Sequence, residues 1–250
     1  MYRMLTVAVL ATAVLLSADV AGAESADVDA DALARLQKMA TYLRGLSAFR
    51  VQAVTTKEDV LDDGEKIQSS GTVDLIAKMP NRLRAEVRSD RSARLFFYDG
   101  KTFTLFAPLV DYYASVPAPA TTGQLARMLD STYDFSLPLE DLFLWGTAGW
   151  NSKAIEAVTD VGPSAVDGTT CEQYAVRQHD VDWQIWVQRG EYPLPRKIVI
   201  TTKTDEARPQ YSAVYTWNLA PSFNDAAFAF VPPPGTRRVA LSKPALDSKP

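Results

Sequence analysis

Arg82-Leu83-Arg84-Ala85-Glu86-Val87-Arg88, followed shortly by Leu95-Phe96-Phe97-Tyr98-Asp99-Gly100-Lys101-Thr102-Phe103-Thr104-Leu105-Phe106, is the stretch that decides the fold. From Arg82 to Arg88 apolar and charged residues alternate strictly. Side chains on a strand point to opposite faces in turn, so this period of two predicts a strand with one buried and one wet face. From Leu95 to Phe106 a pair of β-prone runs flanks Asp99-Gly100, a dipeptide that accepts the positive φ angles of a tight hairpin turn.

The same period extends outward. Phe49, Val51 and Ala53 alternate with Arg50 and Gln52, and Val73, Leu75, Ala77 and Met79 alternate with Asp74, Ile76 and Lys78. Asp62-Asp63-Gly64 reads as a turn and Pro80-Asn81 as a break. Further strands are expected at 112–116, 154–161, 171–178, 183–188, 196–202 and 211–219, with turns at Gly162-Pro163, Asp167-Gly168, Gly190 and Asp205. A final strand is expected over 227–231. Short turns between successive strands predict an antiparallel meander, and nothing has the strand–helix–strand rhythm of a parallel sheet.

Two regions depart from this period. Leu33, Leu36, Met39, Ala40, Leu43 and Leu46 recur at three- and four-residue spacing, which predicts an amphipathic helix capped by Asp29 or Asp31 and ending near Gly45. In mid-chain, Thr121 or Thr122 can cap a helix carrying Leu125, Met128 and Leu129, and a second helical segment is expected over 138–145, with Leu139, Leu142, Phe143 and Trp145. The fold class is therefore mostly β with a helical lid (α+β): a strongly curved antiparallel sheet, with an N-terminal helix and short helices covering its concave face.

The N-terminus predicts export. Arg3 precedes an apolar run from Met4 to Leu16, and Ala21-Gly22-Ala23 is a small-x-small cleavage site, which together make up a secretory signal peptide. The run is too short for a comfortable membrane span. Residues 1–23 are read as the signal peptide, 24–240 as a single domain and 241–250 as a flexible tail, with the periplasm as destination. No cysteine lies near the cut to be acylated.

The net charge of −4 and pI near 5.1 argue against a nucleic-acid or anionic-membrane partner. Cys171 is the single cysteine, expected to be buried. The one histidine, His179, sits beside Asp180 and Asp182 in a predicted turn. There is no Ser-centred nucleophile elbow, phosphate loop or dinucleotide fingerprint, and no recognisable metal-ligand spacing. The carboxylate pairs Asp62-Asp63 and Glu140-Asp141 read as solvated. No enzyme, cofactor or metal is expected.

What stands out is apolar. The strand residues Val51, Leu75, Met79, Leu83, Val87, Phe97, Phe103 and Trp183, together with Phe106, Trp186, Tyr215 and Trp217, face either an ordinary core or a hollow. Leu125, Met128, Leu129, Leu142 and Phe143 on the mid-chain helices would cover that hollow. An acyl chain suits such a site, since each buried methylene contributes roughly 0.8 kcal/mol.

The order of these features resembles a known family. Lys78-Met79-Pro80-Asn81-Arg82-Leu83-Arg84, then Tyr98-Asp99-Gly100-Lys101-Thr102, a helical insertion, and the ending Phe228-Ala229-Phe230-Val231-Pro232-Pro233-Pro234-Gly235 are similar to the LolA/LolB-like superfamily of periplasmic lipoprotein-localisation factors, and in particular to a subgroup of predicted periplasmic proteins of unknown function. The resemblance covers nearly all of the chain after the signal peptide. It implies an incomplete antiparallel β-barrel closed by a helical lid, binding a lipid or an acylated lipoprotein and acting as a monomer, with an inner- or outer-membrane protein as a further partner. The alternative is an envelope sensor acting through a protein–protein interface, favoured by an apolar patch around Trp145 and Trp150. In the carriers an arginine stands before the Pro-Asn and helps hold the lid shut. Here that residue is Met79, which would instead extend the apolar lining.

Overall fold

The computed structural model describes residues 28–147 and 152–243. The predicted signal peptide, Trp150 and the last seven positions lie outside them. Helix α1 (Ala30–Gly45) comes first, followed by strands β1 (Ala48–Val60), β2 (Lys66–Lys78), β3 (Arg82–Ser89), β4 (Ala93–Tyr98), β5 (Thr102–Ala107) and β6 (Tyr112–Pro117). Helices α2 (Thr122–Tyr133) and α3 (Asp141–Leu144) lead into β7 (Ile155–Val166), β8 (Thr169–Gln178), β9 (Val181–Gln188), β10 (Pro195–Thr202) and β11 (Gln210–Asn218). The two-residue β12 (Arg237–Arg238) ends the order.

All twelve strands lie in one sheet, ordered β12-β6-β5-β4-β3-β2-β1-β11-β10-β9-β8-β7. Two hairpin-connected meanders, β1–β6 and β7–β11, are joined where β1 pairs with β11, Arg50 opposite Asn218 and Lys57 opposite Tyr211. The ladders between long strands are antiparallel, and β12 alone runs parallel to its neighbour β6. The sheet has two free ends and is not a closed barrel.

Alternation decides which face is covered. Register aligns Phe49, Ala77, Leu83, Tyr98 and Phe103 in one cross-strand row, and Val51, Leu75, Ala85, Phe96 and Leu105 in the next. A third row holds Ala53, Val73, Val87 and Arg94, and a fourth Thr55, Gly71 and Ser89. Along this face, side chains shrink and become polar toward one end. The buried sides of all three helices pack on it, through Leu36, Met39 and Leu43 of α1, Leu125 and Leu129 of α2, and Leu142 and Phe143 of α3. Asp29 caps α1, its carboxylate accepting from the Asp31 and Ala32 amides at 2.9 and 3.0 Å. Thr121 caps α2 through the Gln124 amide at 3.2 Å.

Three local expectations are corrected. Gly162-Pro163 is not a turn but a bulge within β7, where the register slips between Asp160 and Gly162. Gly162 takes φ +101°, and a proline with no N–H is tolerated because β7 is an edge strand. The 227–231 stretch forms no strand. A 3-10 helix (Asp225–Phe228) is followed by irregular chain, because the three prolines at 232–234 cannot donate to a ladder. Its Phe-Ala-Phe alternation instead anchors a strap across the outer face: Phe228 is fully buried, and the Phe230 ring packs on Phe97, Phe106 and Tyr113. The second mid-chain helix is shorter than 138–145, since Leu139 takes φ +53° and helical hydrogen bonding starts only after it. At the far end of the chain, Leu241 packs on the core.

The lid is pinned at its entry. The Pro80 carbonyl accepts from both the backbone N–H (2.9 Å) and the hydroxyl (3.1 Å) of Thr122, which is wholly buried. The Tyr98 hydroxyl, which burial pushes up to about 12, stays protonated and donates to the Pro119 carbonyl. Replacing Thr122 with valine keeps the shape and removes the hydroxyl bond. The expected result is a loss of about 1 kcal/mol, read as a lower urea midpoint at unchanged slope.

Candidate functional site

The thirteen sequence-predicted site residues divide by position. Val51, Leu75, Leu83, Phe103, Leu125 and Leu129 are fully buried in the central core, with Leu142, Phe143 and Trp183 nearly so. Met79, Val87 and Met128 are partly buried against that core. The fold thus gathers twelve of them into one cluster under the helices. Phe97 stands apart. It pairs with Arg84, points to the outer face and is covered there by Phe230, with the Arg84 guanidinium 5.5 Å from its ring centre. Phe106 and Trp186, also expected to face inward, point outward too. Trp186 joins Cys171 and Val166 in a small separate cluster, where Cys171 is completely buried.

The accessible apolar surface is at the polar end of the covered face. A groove of about 430 Å³ opens there between β1–β4, the end of β11 and the 135–139 segment that links α2 to α3. Val73, Val87, Phe96, Phe135, Leu139 and Tyr211 form its apolar floor, and Lys57, Asp59 and Arg94 stand among its edges. Phe135 is fixed by stacking on Phe96 at 5.8 Å and by a tilted contact with Phe103 at 6.5 Å between ring centroids. Gly71 keeps the edge low: a Cβ there would come within 2.8 Å of the Arg88 carbonyl oxygen. Of the predicted site residues only Val87 lines this groove. Val73 and Phe96 were legible as members of alternating strands. Phe135 lies between helices, where no periodicity marks it, and Leu139, expected within the second helical segment, precedes the helix that forms.

The lid carries the main electrostatic surprise. Glu140-Asp141, expected to be solvated, is half-buried behind Leu139. Burial, reinforced by the Asp141 charge, pushes the Glu140 carboxyl up to about 7. Burial alone pushes Asp141 up to about 6. Across the covered face, burial and the Asp141 charge raise the hydroxyl of Tyr211, and Tyr215 is raised by burial and by both Tyr211 and Asp141. At its far end the lid meets α1, where the Arg44 guanidinium donates to the Trp145 carbonyl at 3.4 Å and lies so close over Gly146 that a Cβ would fall 1.5 Å from it. The Trp145 side chain is buried rather than exposed.

Among the described residues, His179 and the nearby carboxylates do not converge on one site. The His179 side chain is 90% exposed, with Asp180 at 3.8 Å. Asp182 instead engages Lys203 and Arg208 at 3.2 and 3.1 Å. Among the described residues no three His, Cys, Asp or Glu side chains are grouped to hold a metal ion.

An open antiparallel sheet laid over three helices, with an apolar groove at one end, is the architecture of an incomplete barrel. Residues 32–242 match the model of a family described as predicted periplasmic proteins (DUF2092), and the chain belongs to that family. No curated protein matches. Among solved structures, lipoprotein LppX of Mycobacterium tuberculosis is similar at 12% identity and TM-score 0.50, covering 78% of this chain and all (100%) of its own. LprF from Mycobacterium bovis is similar at 13% identity and TM-score 0.45, over 79% of this chain and 97% of its own. A LolA superfamily protein from Nitrosomonas europaea is similar at 12% identity and TM-score 0.37, over 80% and 97%. At 12% identity the likeness to LppX is one of fold.

The raised lid carboxyls predict a pH dependence. A carboxyl whose pKa is higher in the folded chain binds more protons there than in the unfolded one, so stability falls as pH rises through the window between the two values. For Glu140 that window runs from its ordinary 4.5 to about 7. Glu140→Gln is expected to flatten the loss of stability across that window and to exceed the wild type at roughly pH 8. Urea titrations at several pH values check this, and a variant less stable than the wild type at high pH contradicts it.

Proposed function

We propose that this protein is a non-enzymatic periplasmic binder or carrier of a lipid or an acylated protein, with the acyl chain lying in the groove between the strand ends and the 135–139 segment. The observation that carries this reading is the groove itself, about 430 Å³ at one end of the covered face, with Val73, Val87, Phe96, Phe135, Leu139 and Tyr211 lining it. The N-terminal signal pattern and the family's description support the compartment, and the resemblance to lipoprotein-localisation factors supports the ligand class. A groove of this size lies within the usual range for small-molecule sites, and burying about eight methylenes contributes roughly 6 kcal/mol. The helices act as the cover, since Thr122 fixes one end and the 135–139 segment borders the opening.

A second reading, an envelope sensor that docks a partner protein, draws on a different surface. Leu109 and Val110 are 68% and 58% exposed at the turn before β6, beside the partly exposed Tyr112. An apolar cluster of this kind at a sheet end suits a protein interface.

Native mass spectrometry of the protein purified from the periplasm, with organic extraction and lipid analysis, separates the two. The carrier reading expects a co-purifying acyl-chain compound. It also expects Val87→Trp, which fills the groove, to lower that occupancy at least about ten-fold while the circular dichroism spectrum is unchanged, at a stability cost of about 1–3 kcal/mol. A ligand-free mass that ignores added fatty acid overturns it and leaves the docking surface as the better account.

A further inference from the structure

Arg94 is the anomaly of the covered face. It lies in register with Val87, in the row Ala53–Val73–Val87–Arg94, and is the one charged member of that row. Neighbouring cations of the first meander are already engaged: Arg88 with Glu86, Arg50 with Asp74, Lys66 with Glu58 at 3.1 Å, and Lys57 with Asp59 at 2.6 Å. Arg94 makes no ion pair, side-chain hydrogen bond or ring contact among the described residues. Its side chain stands at the edge of the groove whose floor is Val87, Phe96 and Phe135. Asp59, the acidic residue that lines this groove, has Lys57 as its partner.

An apolar trough with one uncommitted guanidinium at its edge has the charge pattern of a site for an amphiphile with a negative head. The guanidinium presents several N–H donors in a fork that matches a phosphate or carboxylate. We propose that the ligand is an anionic amphiphile, its chain on the apolar floor and its phosphate or carboxylate head held by Arg94. This rests on the reading of the groove as an acyl-chain site and adds the charge of the ligand and the residue that selects it. It also places positive potential at one point on a chain whose net charge is −4.

The experiment is calorimetric titration of the exported protein, at low salt and below each probe's micelle concentration, with dodecyl phosphate, dodecanoate, dodecanol and dodecyltrimethylammonium. The expected result is that both anions bind on the order of ten-fold or more tightly than dodecanol. Arg94→Gln should remove that preference and leave dodecanol binding unchanged, and Arg94→Lys should restore some of it. Preference for dodecyl phosphate over dodecanoate would identify a phosphate head, and the reverse a carboxylate; either supports the assignment. Equal binding of anionic, neutral and cationic probes, or an equal loss for all of them in Arg94→Gln, overturns the Arg94 assignment while leaving the acyl-chain site standing. Failure of all four probes to bind the wild type overturns the acyl-chain reading and the head-group assignment together.

Discussion

Everything in this molecule depends on β1 being paired on both sides. Its neighbours in space are β2, next in sequence, and β11, the last long strand, so one strand seams two meanders that are otherwise separate sheets. Each meander is built from local hairpins, but the seam brings together residues more than 150 positions apart and must be held by side chains that reward that closure. Val51 opposite Trp217 and Ala53 opposite Tyr215 supply them, and Phe49 adds ring contacts at 5.4 Å to Trp217 and 6.1 Å to Phe143 of the lid. The seam and the lid are therefore stabilised by the same aromatic cluster, and loosening either exposes the other. Loop-closure entropy makes such a non-local pairing slow to form.

The covered face has a gradient that sets where function can reside. Toward the Pro80 turn its rows are filled by large residues and sealed by Thr122. Toward the opposite end they pass through Val73 and Val87 to Thr55, Gly71 and Ser89. A hydrophobic surface that is large at one end and bare at the other leaves its accessible apolar area in between, and the groove lies there. The half-buried Glu140-Asp141 pair fits this picture. It lies next to the segment that borders the opening, where protonation and the local packing of the lid depend on one another.

How far the sequence could be read follows from the reach of each signal. Strict alternation in 82–88 and the Asp99-Gly100 hairpin are local, so strand positions and the sheet's covered face were legible from them. Each helix cap was narrowed to two candidates for the same reason, and the structure selects Asp29 over Asp31 and Thr121 over Thr122. The seam between β1 and β11 left no local mark. Phe97 misled because both faces of β4 are apolar: one faces the helices and the other the strap that carries Phe230, and alternation cannot tell two buried faces apart. Glu140-Asp141 misled because charge suggests solvent, while its burial depends on a helix only four residues long meeting the sheet. Phe135 escaped notice because it sits in irregular chain, and Leu139 was expected on a helix that begins only after it.

The two ends of the sheet are finished in different ways. At one, β12 covers the start of β6 and the Arg238 side chain donates to the Ser115 carbonyl at 3.2 Å. At the other, the Gly162-Pro163 bulge distorts β7, while Val28 bridges Val158. A distorted ladder is a poor template for a further strand. Copies crowded together would thus find few matching backbone donors and acceptors on which to extend one sheet into another, and a molecule that leaves its apolar groove open can do so with little risk of polymerising through its edges.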